Sequence, residues 1–205
     1  MNLTISKNLL GAVPRTSFAG LFLLVCLSAA PKLNPVQWSL SAVPGTVSPG
    51  STIVLRLHAD IAPGYHLYSL TTPAGGPIRT MLSIKDDSVL GNVRLYQPSP
   101  DRHNDPNLNV PVETFSGPTD FPVEVKIKSD AAPGSTSLVA QTRYQACSNE
   151  ICLPPVTRTA TTTITLGKGA PVTIALVPGG YHLVSGPSSA ATRRSAASGM
   201  HMPNQ

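Results

Sequence analysis

The chain has 205 residues, a formal net charge of +5, 21 prolines, 16 glycines and only 12% charged residues, which fits one domain with extensions and favours short strands and turns over long amphipathic helices. Nine Lys/Arg and all ten Asp/Glu fall within residues 36–166, so the positive excess lies at the two ends (Lys7, Arg15, Lys32, Lys168, Arg193, Arg194). That placement leaves the expected folded part near neutral and argues against a nucleic-acid-binding face.

In chain order, residues 1–30 have the layout of a secretory signal peptide: Lys7 and Arg15 precede an apolar run over 18–27, followed by Ser28, Ala29 and Ala30. The run is shorter than the roughly 20 apolar residues a membrane helix needs, and an uncleaved anchor is the alternative. Cys26 lies inside it after Leu23-Leu24-Val25, without the small residue expected beside a lipidated cysteine. Its loss with the signal would leave two cysteines in a compartment where disulfides form. No second stretch has membrane length, so the exported chain is expected to have no span and, by default, to be a monomer.

Strands are expected over 36–43 and 51–59, the latter alternating Ile53, Leu55 and Leu57 against Arg56 and His58, as a half-buried strand does. Further strands are expected over 65–70, 80–85, 92–96, 112–115, 121–128, 137–146 and 156–166, punctuated by Pro-Gly turns at Pro44-Gly45, Pro49-Gly50, Pro63-Gly64 and Pro133-Gly134. Residues 97–111 read as a long polar loop. Past Gly167, residues 171–184 hold at most one edge strand, and the Ser/Ala/Gly-rich 185–205 is expected to be disordered. Pro178-Gly179-Gly180-Tyr181-His182-Leu183 echoes Pro63-Gly64-Tyr65-His66-Leu67. Eight or nine short strands without intervening helices predict an all-β antiparallel sandwich over 36–166 with a C-terminal extension over 167–205, a closed barrel being the alternative.

Cys147 and Cys152 stand at a strand-to-strand connection, in Tyr144-Gln145-Ala146-Cys147-Ser148-Asn149-Glu150-Ile151-Cys152-Leu153-Pro154-Pro155. Four intervening residues are enough to bring two Cα atoms within bonding range, roughly 4.4–6.8 Å. So short a loop stabilises little, about 2 kcal/mol before strain, which suits a reversible bond better than a staple. An inert structural disulfide remains the alternative. Metal binding finds no His pair at ligand spacing, no nucleophile–base motif suggests a hydrolase, and no cofactor is called for. The Cys loop contains no Lys, Arg or His, and Glu150 adds negative charge, so nothing local lowers a thiol pKa. Such thiols would exchange when docked to a partner that supplies the activation.

Two segments resemble a known family, the N-terminal periplasmic domain of the thiol:disulfide interchange protein DsbD. Pro63-Gly64-Tyr65-His66-Leu67-Tyr68 is similar to its Gly-Tyr-x-Leu-Tyr segment. Tyr144-Gln145-Ala146-Cys147 with Cys152-Leu153-Pro154-Pro155 is similar to its Tyr-Gln-x-Cys…Cys-x-Pro-Pro segment, and the likeness runs from about Val36 to Leu166. The resemblance implies an immunoglobulin-like sandwich in the periplasm acting as a thiol–disulfide oxidoreductase, a component of protein-disulfide reduction. Cys147 and Cys152 would cycle between dithiol and disulfide, with Cys152 at the position that forms mixed disulfides. Implied partners are thioredoxin-fold redox proteins and a membrane electron transporter, here a separate polypeptide. Tyr65, His66 and Tyr68 fall in the segment whose family counterpart lies beside the cysteine pair, and Glu150 lies within the Cys loop. The family's aromatic cap has no counterpart after Tyr96 in the 97–111 stretch, which leaves Leu108 or Val110 as covering residues.

Overall fold

The computed structural model describes residues 33–85, 88–105, 108–174 and 177–184. The expected signal over 1–30, with Cys26, and the expected disordered tail over 185–205 lie outside them. Thirteen strands form among the described residues: β1 (Val36–Ala42), β2 (Thr46–Val47), β3 (Thr52–Ile61), β4 (His66–Tyr68), β5 (Met81–Lys85), β6 (Leu90–Pro98), β7 (Asp101–Asn104), β8 (Pro111–Ser116), β9 (Thr119–Ile127), β10 (Gly134–Tyr144), β11 (Ala146–Cys147), β12 (Val156–Leu166) and β13 (Tyr181–Leu183). The number exceeds expectation because several strands are only two to four residues long, too short to show a period.

Two sheets make an immunoglobulin-like β-sandwich, one ordered β1-β3-β9-β6-β13 and the other β2-β12-β10-β5. Period-two alternation decides which side chains enter it. Ile53, Leu55, Leu57, Ala59 and Ile61 of β3 and Phe121, Val123, Val125 and Ile127 of β9 are buried, facing Leu138, Ala140 and Tyr144 of β10 and Ile164 and Leu166 of β12 in a single core. Each such aliphatic or Phe side chain contributes about 1.5–3 kcal/mol on full burial. Trp38 of β1 lies 5.9 Å from Phe121 and 5.6 Å from Tyr144, ring centre to ring centre, so it touches both sheets. On the solvent face, Asp120 accepts from Arg56 Nε at 2.9 Å and lies 2.6 Å from His58 Nδ1.

A third, smaller sheet is ordered β11-β4-β8-β7. Residues 97–111, expected as a loop, hold instead the end of β6 and the whole of β7, which pairs antiparallel with β8 from Asp101↔Thr114 to Asn104↔Pro111. The four residues of β7 are all exposed; a strand with no buried face carries no hydrophobic alternation, and only its pairing with β8 defines it.

Residues beyond 166 join the large sheet at two places. Thr52 N–H donates to Val172 O (2.9 Å) and Ile174 N–H to Thr52 O (2.7 Å), beside the start of β3. The expected edge strand within 171–184 is β13, paired with β6 as Tyr181↔Pro98, His182↔Gln97 and Leu183↔Tyr96. Both copies of the echoed motif therefore enter short strands, each preceded by a glycine with positive φ, Gly64 at 83° and Gly180 at 88°. Glycine takes that conformation without a steric penalty.

Candidate functional site

The small sheet has two apolar faces, and this division creates the site. Leu67 of β4, Phe115 of β8 and Ala146 of β11 point into the main core. Tyr68, Val112 and Cys147 point the other way and form a second buried cluster, against which Val110 packs. Cys147 pairs with His66 and Ala146 with Leu67, while His66, Leu67 and Tyr68 pair with Ser116, Phe115 and Thr114. Cys147 and His66, being directly opposed, share a face of this sheet.

Cys147 and Cys152 are joined by a disulfide, with Cα atoms 4.0 Å apart, and also form an isolated antiparallel bridge. Their environments differ sharply: Cys147 is 1% exposed, whereas Cys152 is exposed. Ser148 closes the intervening turn. Its N–H donates to Ile151 O (2.8 Å), and its Oγ accepts from Glu150 N–H (3.2 Å) and Ile151 N–H (3.1 Å), the local hydroxyl-to-backbone bonding that serine favours in turns. Glu150 and Ile151 project outward from this turn.

The flanking motif residues have structural reasons. Tyr144 ends β10 buried in the core. Gln145 then lets the chain cross from the large sheet to the small one: its Oε1 accepts from Ile78 N–H (3.4 Å) and its Nε2 donates to Leu153 O (3.2 Å). Leu153 N–H in turn donates to Ala146 O (2.9 Å). The segment that follows Cys152 is thereby tied to the strand that precedes Cys147.

Beside Cys147 lies a polar array. Tyr68 Oη donates to Asp105 Oδ2 and is 3.4 Å from both that oxygen and His66 Nε2. The His66 and Tyr68 rings meet edge to face, 5.3 Å apart. Burial pushes the Tyr68 hydroxyl up to about 12, with the Asp105 charge and hydrogen bond acting in the same direction. Burial also lowers the His66 pKa, repulsion from His103 adds to this, and Asp105 partly opposes it. Around neutral pH the array therefore holds a protonated phenol and a neutral imidazole beside the buried sulfur.

The remaining expected site residues are placed less closely. Tyr65 is half-buried and packs on the main core. Leu108 is 52% exposed, and its N–H donates to Asp105 Oδ1 (3.0 Å); Val110 is the residue that meets the Cys147 cluster. Sequence reasoning missed Asp105, Gln145 and Ser148 as site residues. Ser148 carried a signal, a serine opening a four-residue turn. Asp105 carried none, since it lay in a stretch read as loop, whereas Val110 was one of the two covering residues expected there. Among the described residues no group of three or more His, Cys, Asp or Glu is arranged to hold a metal ion.

A family model described as "Thiol:disulfide interchange protein DsbD, N-terminal" matches residues 39–164. The chain belongs to this family. No curated protein matches the chain. Among solved structures, the N-terminal periplasmic domain of ScsB from Proteus mirabilis is similar at 18% identity and a TM-score of 0.48, covering 65% of this chain, which spans 48% of that one. The DsbD N-terminal domain of Neisseria meningitidis in the reduced form is similar at 14% identity and a TM-score of 0.39, covering 63% of this chain and 90% of that one. The family match spans both cysteines, the Tyr65–Tyr68 segment and all the strands of the small sheet.

Proposed function

We propose that the chain is a periplasmic thiol–disulfide exchange module that relays reducing equivalents through Cys147 and Cys152 to or from thioredoxin-fold partners. The observation that carries this reading is the asymmetry of the bonded pair, one sulfur-bearing residue exposed at a surface turn and the other sheltered beside a tyrosine hydroxyl. In the reducing direction a partner thiolate attacks Cys152 Sγ, the Cys147–Cys152 bond breaks, and the electron pair leaves on Cys147 as a thiolate, which then takes up a proton. The second thiolate of the partner attacks its own sulfur in the mixed disulfide and expels Cys152. The partner dithiol becomes a disulfide and the Cys147–Cys152 disulfide a dithiol, a two-electron transfer.

Cys147→Ser leaves Cys152 without its resolving thiol, so this variant is expected to accumulate a mixed disulfide through Cys152 with a thioredoxin-fold partner. Failure to trap any such species with active partners would count against the reading. The near-complete burial of Cys147 favours a second reading, a structural bond in an exported interaction domain. That reading requires a reduction potential below about −300 mV, and equilibrating the protein with glutathione redox buffers distinguishes the two.

A further inference from the structure

The family match ends at residue 164, and β13 lies beyond it. This strand meets the chain where it leaves the large sheet for the small one. β6 is paired with β9 only as far as Leu95↔Val123; Tyr96, Gln97 and Pro98, which end β6, are paired with β13 alone. Ser99 and Pro100 then lead into β7. Pro98 and Pro100 have no N–H, so neither can bond this joint to a neighbouring strand through its nitrogen. The C-terminal segment reaches the joint instead. Ser99 Oγ lies 2.9 Å from His182 Nε2. Val184 N–H donates to Leu95 O at 2.9 Å, and Val184 packs against the main core. Bonded pairs alternate along an antiparallel ladder, which makes His182↔Gln97 the next pair joined through the backbone.

From the joint, bonds run to both halves of the polar array beside Cys147. Gln97 is 4% exposed. Its Oε1 accepts from Leu70 N–H (3.0 Å) and its Nε2 donates to Thr71 Oγ1 (2.7 Å), so it is tied to the segment that follows His66 and Tyr68 out of β4. On the other side of the joint, β7 runs into Asp105. Asp105 N–H donates to Val110 O (2.8 Å), and its Oδ2 accepts from Tyr68 Oη. The joint therefore stands between β4, reached through Gln97, and Asp105, reached through β7.

We infer that β13, through His182, positions the His66–Tyr68–Asp105 array beside Cys147 by fixing the joint between β6 and β7. His182 is a positioning residue and supplies no reacting atom. A segment outside the family match thus bears on the surroundings of the cysteine pair. This role is the same whether the disulfide is exchanged or structural, so it stands or falls separately from the exchange reading above.

The test uses full-length oxidised chains and two nuclear magnetic resonance readouts, amide exchange at Asp105 and the titration of His66. His182→Pro removes both the imidazole and the backbone donor of the pair with Gln97. Asp105 exchange is then expected to rise severalfold, while amides of β10 and β12 in the opposite sheet keep their rates. The His66 midpoint is expected to move up towards 6.5, because burial and His103, which lower it, outweigh Asp105, which raises it; its strand neighbour Tyr68 is a neutral phenol in that range. His182→Ala, which takes away only the Ser99 contact, should move both readouts the same way by less, and His182→Gln should restore them. Leu183→Ser, at an exposed side chain of the same strand, should leave both unchanged. Unchanged Asp105 exchange and an unchanged His66 midpoint in His182→Pro would overturn the inference, as would an equal acceleration of exchange in both large sheets.

Discussion

At the scale of single residues, the site depends on a few polar side chains that link backbone segments. Gln145 bridges Ile78 N–H and Leu153 O, and its replacement by alanine leaves two half-buried backbone groups without these partners. We expect Gln145→Ala to lower stability by about 1–3 kcal/mol, read as a shift of the urea midpoint at unchanged slope. His66 gives a pH signature. Its folded pKa lies below the ordinary 6.5 because of burial and His103, so the unfolded chain binds the proton more readily. Stability should fall as pH drops through 6.5 towards the folded value and level off below it. His66→Gln should remove that step from the pH dependence of the melting temperature. Glu113 and Asp120 act at lower pH. For Glu113, burial raises the pKa but is outweighed by hydrogen bonds from Thr71 and Ser69 and by Arg102. For Asp120, burial is outweighed in the same way by Arg56 and His58. The stability these two contribute is present above the ordinary carboxylate range and lost as pH falls through their depressed folded values.

At the scale of elements, the small sheet joins the core to the Cys147–Cys152 disulfide. Its inner face is anchored chiefly by Leu67 and Phe115, the latter meeting Phe121 edge to face at 5.4 Å. Phe115→Ala should cost about 3–5 kcal/mol and loosen the sheet that holds Cys147. Faster reduction of the disulfide by dithiothreitol, alongside the loss in thermal stability, would show that the two are coupled; unchanged reduction would show that the site is held independently. The long strands were legible because their alternation is clear: β12 has the expected bounds, and β3 and β9 differ only at their ends. The strands β7 and β11 were not, since two to four residues carry too little pattern; β7 has no buried face, and the partner of β11, β4, lies far away in sequence.

At the scale of the whole molecule, the segment after β12 reaches two strands of the large sheet, with residues 172–174 beside β3 and β13 along β6. An uncovered strand edge invites pairing with another chain. Removal of residues 171–205 is therefore expected to lower the melting temperature and to produce concentration-dependent association, measured by light scattering, while leaving the Cys147–Cys152 bond intact. Monomeric, equally stable truncated protein would show that this segment protects nothing.

The sequence by itself determined the sandwich, the family and the cysteine pair, because alternation, turn residues and the spacing of Cys147 and Cys152 are local features of the chain. Only the tertiary structure decided that the two cysteines are unlike. Cys147 is buried in a cluster with Tyr68 and Val112, against which Val110 packs, and Cys152 is exposed; Asp105, bonded to Tyr68, bears on that arrangement from a stretch that carries no pattern of its own. The physical reason is that burial on the outer face of a small sheet depends on which strands pair and which segments pack over it, and such contacts between distant parts of the chain leave no periodic trace in any one of them.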